Sequence, residues 1–185
     1  MTVLPETNPA AFAREVVRAA IDFLTIPDPP DEEFYRQRAA CFVSIKTDKN
    51  LRGCIGTLEP AEADLGREII RNAQSAAFGD PRFPPVSAAE LEGLHFSVDI
   101  LSAPEPVSSH EQLDSKRYGV IVGCDYRRGV LLPDLEGVET VEHQLGIACQ
   151  KAGIEPSENF SVQRFRVSRY REDWTPGQDP EDPDG

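Results

Sequence analysis

The sequence predicts an α+β fold, with antiparallel or mixed sheets and three main helices. Three observations carry this. Apolar, β-branched runs come in pairs separated by short polar turns, and hairpins demand antiparallel pairing. Three longer stretches instead repeat apolar residues at helical spacing. No G-x-G-x-x-G and no P-loop follows any predicted strand, which argues against a dinucleotide- or NTP-binding parallel sheet.

The elements follow in chain order. "NPAAFAREVVRAAIDFL" opens with Asn8 as an N-cap and Pro9 at the first helical position, and Phe12, Val16, Ala20 and Phe23 recur on one face. "PDPPDEEF" ends that helix and makes a loop. "ACFVSIK" (40–46) reads as a strand, "TDKN" as a hairpin turn and "LRGCIGTL" as the returning strand, whose glycines predict a bulge or a close backbone approach. A second helix fits 63–78, with Leu65, Ile69, Ala73 and Ala76 on one face, and "GDPRFPPV" stops it. Ser87 with Glu90 three residues on is a capping-box pattern. "LHFSVDIL" alternates as a half-buried strand. "YGVIVGC", a turn at "DYRR" and "GVLLP" form a second hairpin. A third helix spans "TVEHQLGIACQKAG", from Thr140 as cap to Gly153 as terminator. "FSVQRFRVSRY" reads as one last strand.

Composition bounds the function. The chain has 185 residues, 39% hydrophobic and 28% charged, ordinary for a soluble globular protein. Its longest apolar runs are too short to cross a bilayer, and its first residues lack the basic-then-apolar pattern of a signal peptide, so a cytoplasmic location is expected. The net charge of −13 is a handicap for nucleic acid, which needs clustered Lys and Arg. Residues 172–185 hold six acids, no base and three prolines, and read as a disordered acidic tail after a body at 1–171. The body, near −7 without that tail, still disfavours nucleic acid. Four cysteines without a C-x-x-C, and three histidines without zinc spacing, predict free thiols and no metal site. No cofactor is indicated.

"LRGCIG" (51–56) is the most unusual stretch. Cys54 is bracketed by Gly53 and Gly56, and Arg52 stands two residues before it, on the same face of a regular strand. A nearby cation lowers a thiol pKa and makes the thiolate a nucleophile. The glycines remove bulk, so a substrate can approach the backbone, and the amides of 53 to 56 suit an anion if they curl into a nest. The simpler reading is a glycine-bent strand with a small buried Cys. In "DPRFPP", Asp80 and Pro81 favour a turn, and Arg82 suits a carboxylate or phosphate, or else pairs with Asp80. His95, His110 and His143 read as solvated. "GVLLPDL" reads as a core strand ended by Pro133, with Leu131 to Asp134 lining a cleft mouth as the alternative.

In this order, "ACFVSIK", "LRGCIGTLEP", "AAFGDPRFPPV", "FSVDILSAPEPV", "YGVIV", "RRGVLLP" and "CQKAGI" resemble the AMMECR-type domain, also called AmmeMemoRadiSam system protein A, from about residue 12 to about 172. The resemblance implies a single domain of a larger and a smaller lobe, with a cleft near "LRGCIG". It also implies a Memo-like protein and a radical-SAM protein as partners. It marks Leu51, Arg52, Gly53, Cys54, Ile55 and Gly56 as the signature segment, Asp80, Pro81, Arg82 and Phe83 as a second motif, and Val130 to Leu135 as a third. In the third, Asp134 replaces the family's usual Gln and the usual Trp is missing, which puts any ligand contact there in question.

Two functions follow. One is a ligand- or partner-binding component of a modification system, with Gly53, Ile55, Gly56, Asp80, Arg82 and Pro133 at the binding site. The other is an enzyme using Cys54 as nucleophile or redox thiol, with Arg52 and Arg82 holding an anionic substrate. No general base for the second can be assigned from the sequence.

Overall fold

The computed structural model describes residues 4–48, 50–135, 137–155 and 157–180. The chain divides into two compact units: residues up to Ile100 with Arg169–Pro180, and Leu101–Ser168. Among the described residues, four helices and two antiparallel sheets make an α+β architecture.

The first unit is built on the sheet β2-β1-β3-β8, from β1 (Cys41–Thr47), β2 (Asn50–Gly56), β3 (Leu94–Leu101) and β8 (Val167–Arg171). Three helices accompany it: α1 (Pro9–Ile21), α2 (Glu33–Arg36) and α3 (Leu65–Phe78). Asn8 caps α1 by accepting the Ala10 N–H at 2.8 Å, with Pro9 where no N–H is missed. Asp64 caps α3 through the Arg67 N–H at 2.8 Å. The predicted stripe Leu65, Ile69, Ala73 and Ala76 is buried against Val43, Ile45, Phe96 and Val98 of the sheet. Edge-to-face contacts link Phe12, Tyr35, Phe34, Tyr170 and Trp174 across the same core.

The second unit has the sheet β4-β7-β5-β6, from β4 (Glu105–Pro106), β5 (Gly119–Cys124), β6 (Arg127–Leu131) and β7 (Ser161–Phe165). Helix α4 (Val141–Ala152) packs on β5 and β6. Thr140 caps it through the His143 N–H, and Gly153 ends it in the left-handed region at φ 66°. Val120, Val122, Leu131, Leu145, Ala148 and Ile154 fill this core.

Several expectations are corrected. The loop after α1 contains the short α2, whose Phe34 and Tyr35 are buried. Phe23 does not continue the apolar face of α1. The helix stops at Ile21, and Phe23 sits beyond it at φ 56°, almost wholly exposed. The run expected as one last strand is two, one in each sheet. Between them Arg166 gives its N–H to the Ser102 hydroxyl at 2.9 Å and accepts the Ser102 N–H at its carbonyl, which takes its backbone out of both ladders. The acidic tail set at 172 begins too early. Glu172 pairs with Arg14 and accepts the Phe96 N–H at 2.9 Å, Trp174 is buried, and Asn8 donates to the carbonyls of Arg171, Glu172 and Trp174. The tail's residues 181–185, and Lys49 of the "TDKN" turn, lie outside the described residues.

Candidate functional site

Among the described residues strand β2 is an edge strand, bonded to β1 alone. Each residue of an antiparallel strand points its N–H and C=O to the same side. At Cys54 that side is the open edge, and both groups find side-chain partners there. The Cys54 N–H donates to Asp80 Oδ2 at 2.9 Å, and its carbonyl accepts from Arg82 Nη2 at 3.1 Å. Asp80 and Arg82 are themselves joined twice, Nε to Oδ1 at 2.9 Å and Nη2 to Oδ2 at 2.7 Å. The pair therefore stands in for a neighbouring strand, one carboxylate accepting and one guanidinium donating, and closes the edge at this residue.

Local sequence puts the pair in place. Gly79 ends α3, and Asp80-Pro81-Arg82-Phe83 turns with the Phe83 N–H on the Asp80 carbonyl. The Arg82 N–H returns to Asp80 Oδ1 at 3.1 Å. Asp80 is buried, and the Arg82 side chain lies over the Phe83 ring with about half its area exposed. The Arg82 guanidinium, helped by the Cys54 and Arg82 amides, holds the Asp80 carboxyl far below the usual carboxylate range, against the opposing pull of burial.

The Cys54 thiol is half-buried and accepts a hydrogen bond from the Ser44 hydroxyl at 3.2 Å, Ser44 being its cross-strand neighbour. Among the described residues no histidine or carboxylate hydrogen-bonds this sulfur. The amides do not curl into a nest, because 50–56 is a strand and the Cys54 amide already serves Asp80.

Arg52, read from the sequence as the cation for Cys54, is committed elsewhere. The β1–β2 register slips between Ile45 and Lys46, so Arg52 is the extra residue of a bulge between the pairs Ile45–Gly53 and Lys46–Leu51. Its Nε reaches Glu90 Oε1 at 2.8 Å. Glu90 also accepts the Ser87 N–H at 2.9 Å and hydroxyl at 2.8 Å, which is half of the predicted capping box: the Glu90 N–H goes to the Ser87 carbonyl, not to its hydroxyl, and the segment leads into a 3₁₀ turn at Leu91–Gly93. Arg52, then Ser87, hold the Glu90 carboxyl down at about 2. Arg52 Nη1 is buried without a partner among the described residues.

The glycines serve packing. A Cβ at Gly53 would lie 2.2 Å from the Ala76 carbonyl oxygen, so α3 rests directly on the strand. At Gly56 it would meet the Phe42 ring at 2.3 Å. Ile55 packs at the margin of the first unit's core. Pro133 belongs to the second unit, where it is buried after β6, next to Asp134 at φ 50°. Of the sequence-derived site residues, the structure thus joins Cys54, Asp80 and Arg82 in one knot, with Gly53 packed against Ala76 of α3. Arg52 is tied to Glu90, and Pro133 lies in the other unit.

Sequence reasoning missed Glu90 as a partner of Arg52, and it missed Glu68. Fully buried in α3, Glu68 accepts the Ala61 and Glu62 N–H groups at 2.9 and 2.7 Å and the Thr57 hydroxyl, anchoring the loop that leaves β2. Its sequence signal was helical spacing: Glu68 lies three residues after Leu65 and eight before Ala76, on the face read as buried. Along the outer face of α3 runs an open hollow of about 660 Å3, with Ile70, Phe78, Arg67 and Arg71 on its wall, reaching Gly79 beside Asp80. Among the described residues no cluster of three or more His, Cys, Asp and Glu is placed to hold a metal ion, and no helix is long and apolar enough to cross a membrane.

The AMMECR1 family pattern matches residues 10–174. A Thermotoga maritima protein is 55% identical over 165 residues, covering 86% of this chain and 95% of that one. A Clostridium acetobutylicum protein is 48% identical over 80% of this chain, which spans only 31% of that longer protein. A crystal structure from Pyrococcus horikoshii, titled an uncharacterized protein, has a TM-score of 0.79 at 27% identity and covers 94% of this chain and 95% of its own. The chain belongs to the AMMECR1 family.

Proposed function

We propose that this protein is a ligand- or partner-binding component of a modification system that includes a Memo-like protein and a radical-SAM protein, and that the Cys54–Asp80–Arg82 knot is its functional centre. The observation that supports this is how the knot uses its groups. The signature cysteine contributes its backbone to Asp80 and Arg82, while its thiol accepts from a hydroxyl and, among the described residues, hydrogen-bonds no base. Asp80 holds Arg82 through two side-chain bonds and leaves about half of the arginine side chain open to solvent, and the α3 hollow reaches Gly79, the residue before Asp80, with its own Arg67 and Arg71 paired to Asp64 and Glu62. A fixed guanidinium beside a partly apolar surface suits a carboxylate or phosphate on a small ligand or on a partner.

The test measures binding of purified Memo-like and radical-SAM proteins to the wild type, Arg82→Ala and Cys54→Ser. The expected outcome is binding that Arg82→Ala weakens by at least about tenfold, the usual effect of losing a charge-assisted contact, and that Cys54→Ser leaves intact. Alkylation of the native protein with iodoacetamide, mapped by mass spectrometry from about pH 5 to 10, belongs to the same test. A Cys54 thiolate appearing well below the roughly 8.5 of a free thiol, with no partner binding, would overturn the binding role in favour of the enzyme that uses Cys54.

A further inference from the structure

The second unit contains a hollow of about 640 Å3 on the side of α4, away from the signature knot's residues in sequence and composed wholly of residues 110–160. Its volume lies within the roughly 300–1,000 Å3 of small-molecule sites. Leu145 and Ile154 are buried and Phe160 half-buried in its wall, which makes the floor apolar. Burial also pushes the Cys149 thiol up from its ordinary value, as expected for a sulfur facing such a floor.

Gly146 is the second observation. It sits in the middle of α4, where glycine weakens a helix. Its φ is not positive, and a Cβ built on it would meet nothing within 4 Å. Neither backbone conformation nor packing accounts for a glycine here, in contrast to Gly129, whose Cβ would stand 1.9 Å from the Ala148 carbonyl oxygen on the other face of the same helix. What Gly146 does is leave the helix backbone bare at the wall of the hollow. The charge of the rim is the third observation. Glu142, Glu155 and His110 are the ionisable groups besides Cys149 that border the hollow, and no lysine or arginine is among the described residues that line it.

We infer that this hollow is a binding site for a small, flat, positively charged aromatic molecule. Its ring lies on the bare backbone at Gly146 against Leu145 and Phe160, and its cationic end faces Glu142 and Glu155. The inference is independent of the role assigned to Cys54 and Arg82.

The probe is the monocationic dye thioflavin T, titrated into the full chain and followed by fluorescence, with the anionic dye 1-anilinonaphthalene-8-sulfonate as comparison. The wild type is expected to bind the cation saturably and the anion more weakly. Gly146→Leu introduces a helix-favouring residue and puts its side chain into the hollow, so it should weaken the cation by at least about tenfold with the fold retained. Glu142→Gln and Glu155→Gln, both exposed, should each weaken it by about two- to fivefold, the range for a solvent-exposed charge pair. Bound dye should slow alkylation of Cys149. Gly146→Ala should raise the melting temperature, because the glycine has no structural duty. No dye binding by the wild type, equal binding by Gly146→Leu, or preference for the anion would overturn the site. A fall in melting temperature on Gly146→Ala would overturn the argument from the glycine.

Discussion

At Gly53 the constraint is steric and involves backbone on both sides. An alanine methyl would press on the Ala76 carbonyl 2.2 Å away, and neither α3 nor β2 can yield without losing ladder or helix bonds. Gly53→Ala should cost about 2–3 kcal/mol, while Gly93→Ala, with nothing within 4 Å, should stay within about 0.5 kcal/mol; chemical denaturation reads both. At Asp80 the constraint is electrostatic. Its carboxyl pKa is depressed in the fold by Arg82 and two amides, and that of Glu90 by Arg52 and Ser87. A depressed carboxylate contributes stability above its unfolded pKa, near 4, and loses it as pH falls through the folded value. Stability should therefore hold above about pH 5 and decline below about pH 4. Asp80→Asn should flatten that acid decline and cost about 1–3 kcal/mol near neutrality, because the amide offers Arg82 no charge; urea denaturation across pH measures both effects.

Among the elements, the edge strand β2 depends on side chains from outside the sheet both along its open edge and at its end. Asp80 and Arg82 occupy its open side at Cys54, and Glu68 anchors the loop that leaves it. Glu68→Ala would leave the Ala61 and Glu62 amides without their acceptor and remove a fully buried carboxylate from α3. The expected loss is about 3 kcal/mol, with hydrogen-exchange protection lost first at residues 61 and 62. The element also shows what a strand pattern leaves open. "LRGCIGTL" is legible as a strand with a bulge or close approach, because glycine and alternation are local signals. That the bulge falls at Arg52 and sends it to Glu90 is set by the β1 register, to which the strand's own residues are blind.

For the whole molecule, two compact units each own a four-stranded sheet and a core, and the chain enters the second at Leu101 and returns to the first at Arg169. The return brings Tyr170, Glu172 and Trp174 into the first unit's core and hydrogen-bond network. The acidic composition after 172 therefore conceals a structural segment. Ending the chain at 171 would remove the buried indole and the Arg14–Glu172 pair, and should cost about 3–5 kcal/mol by the scale of buried Trp deletions; thermal unfolding of the shortened chain against the full one checks this.

By itself the sequence determined the three long helices, the two hairpins and their pairing, the strand at Leu94–Leu101, the caps at Asn8, Thr140 and Gly153, and the α+β class, but not the short α2, the two-residue β4 or the division of the last run into two strands. Those it determined rest on interactions within a few residues, where composition and period are sufficient. It also marked "LRGCIG" and "DPRF" as unusual. Tertiary structure alone decided that these two motifs form one object, since Cys54 and Asp80 are 26 residues apart, and that Arg52 answers to Glu90, 38 residues on, rather than to the thiol. It also decided that Arg166 divides one apolar run between two sheets, and that Trp174 is core. The reason is the same in each case. A hydrogen-bond donor or an exposed ring has many acceptable partners in a sequence, and the folded chain leaves it with those that burial and register bring within reach.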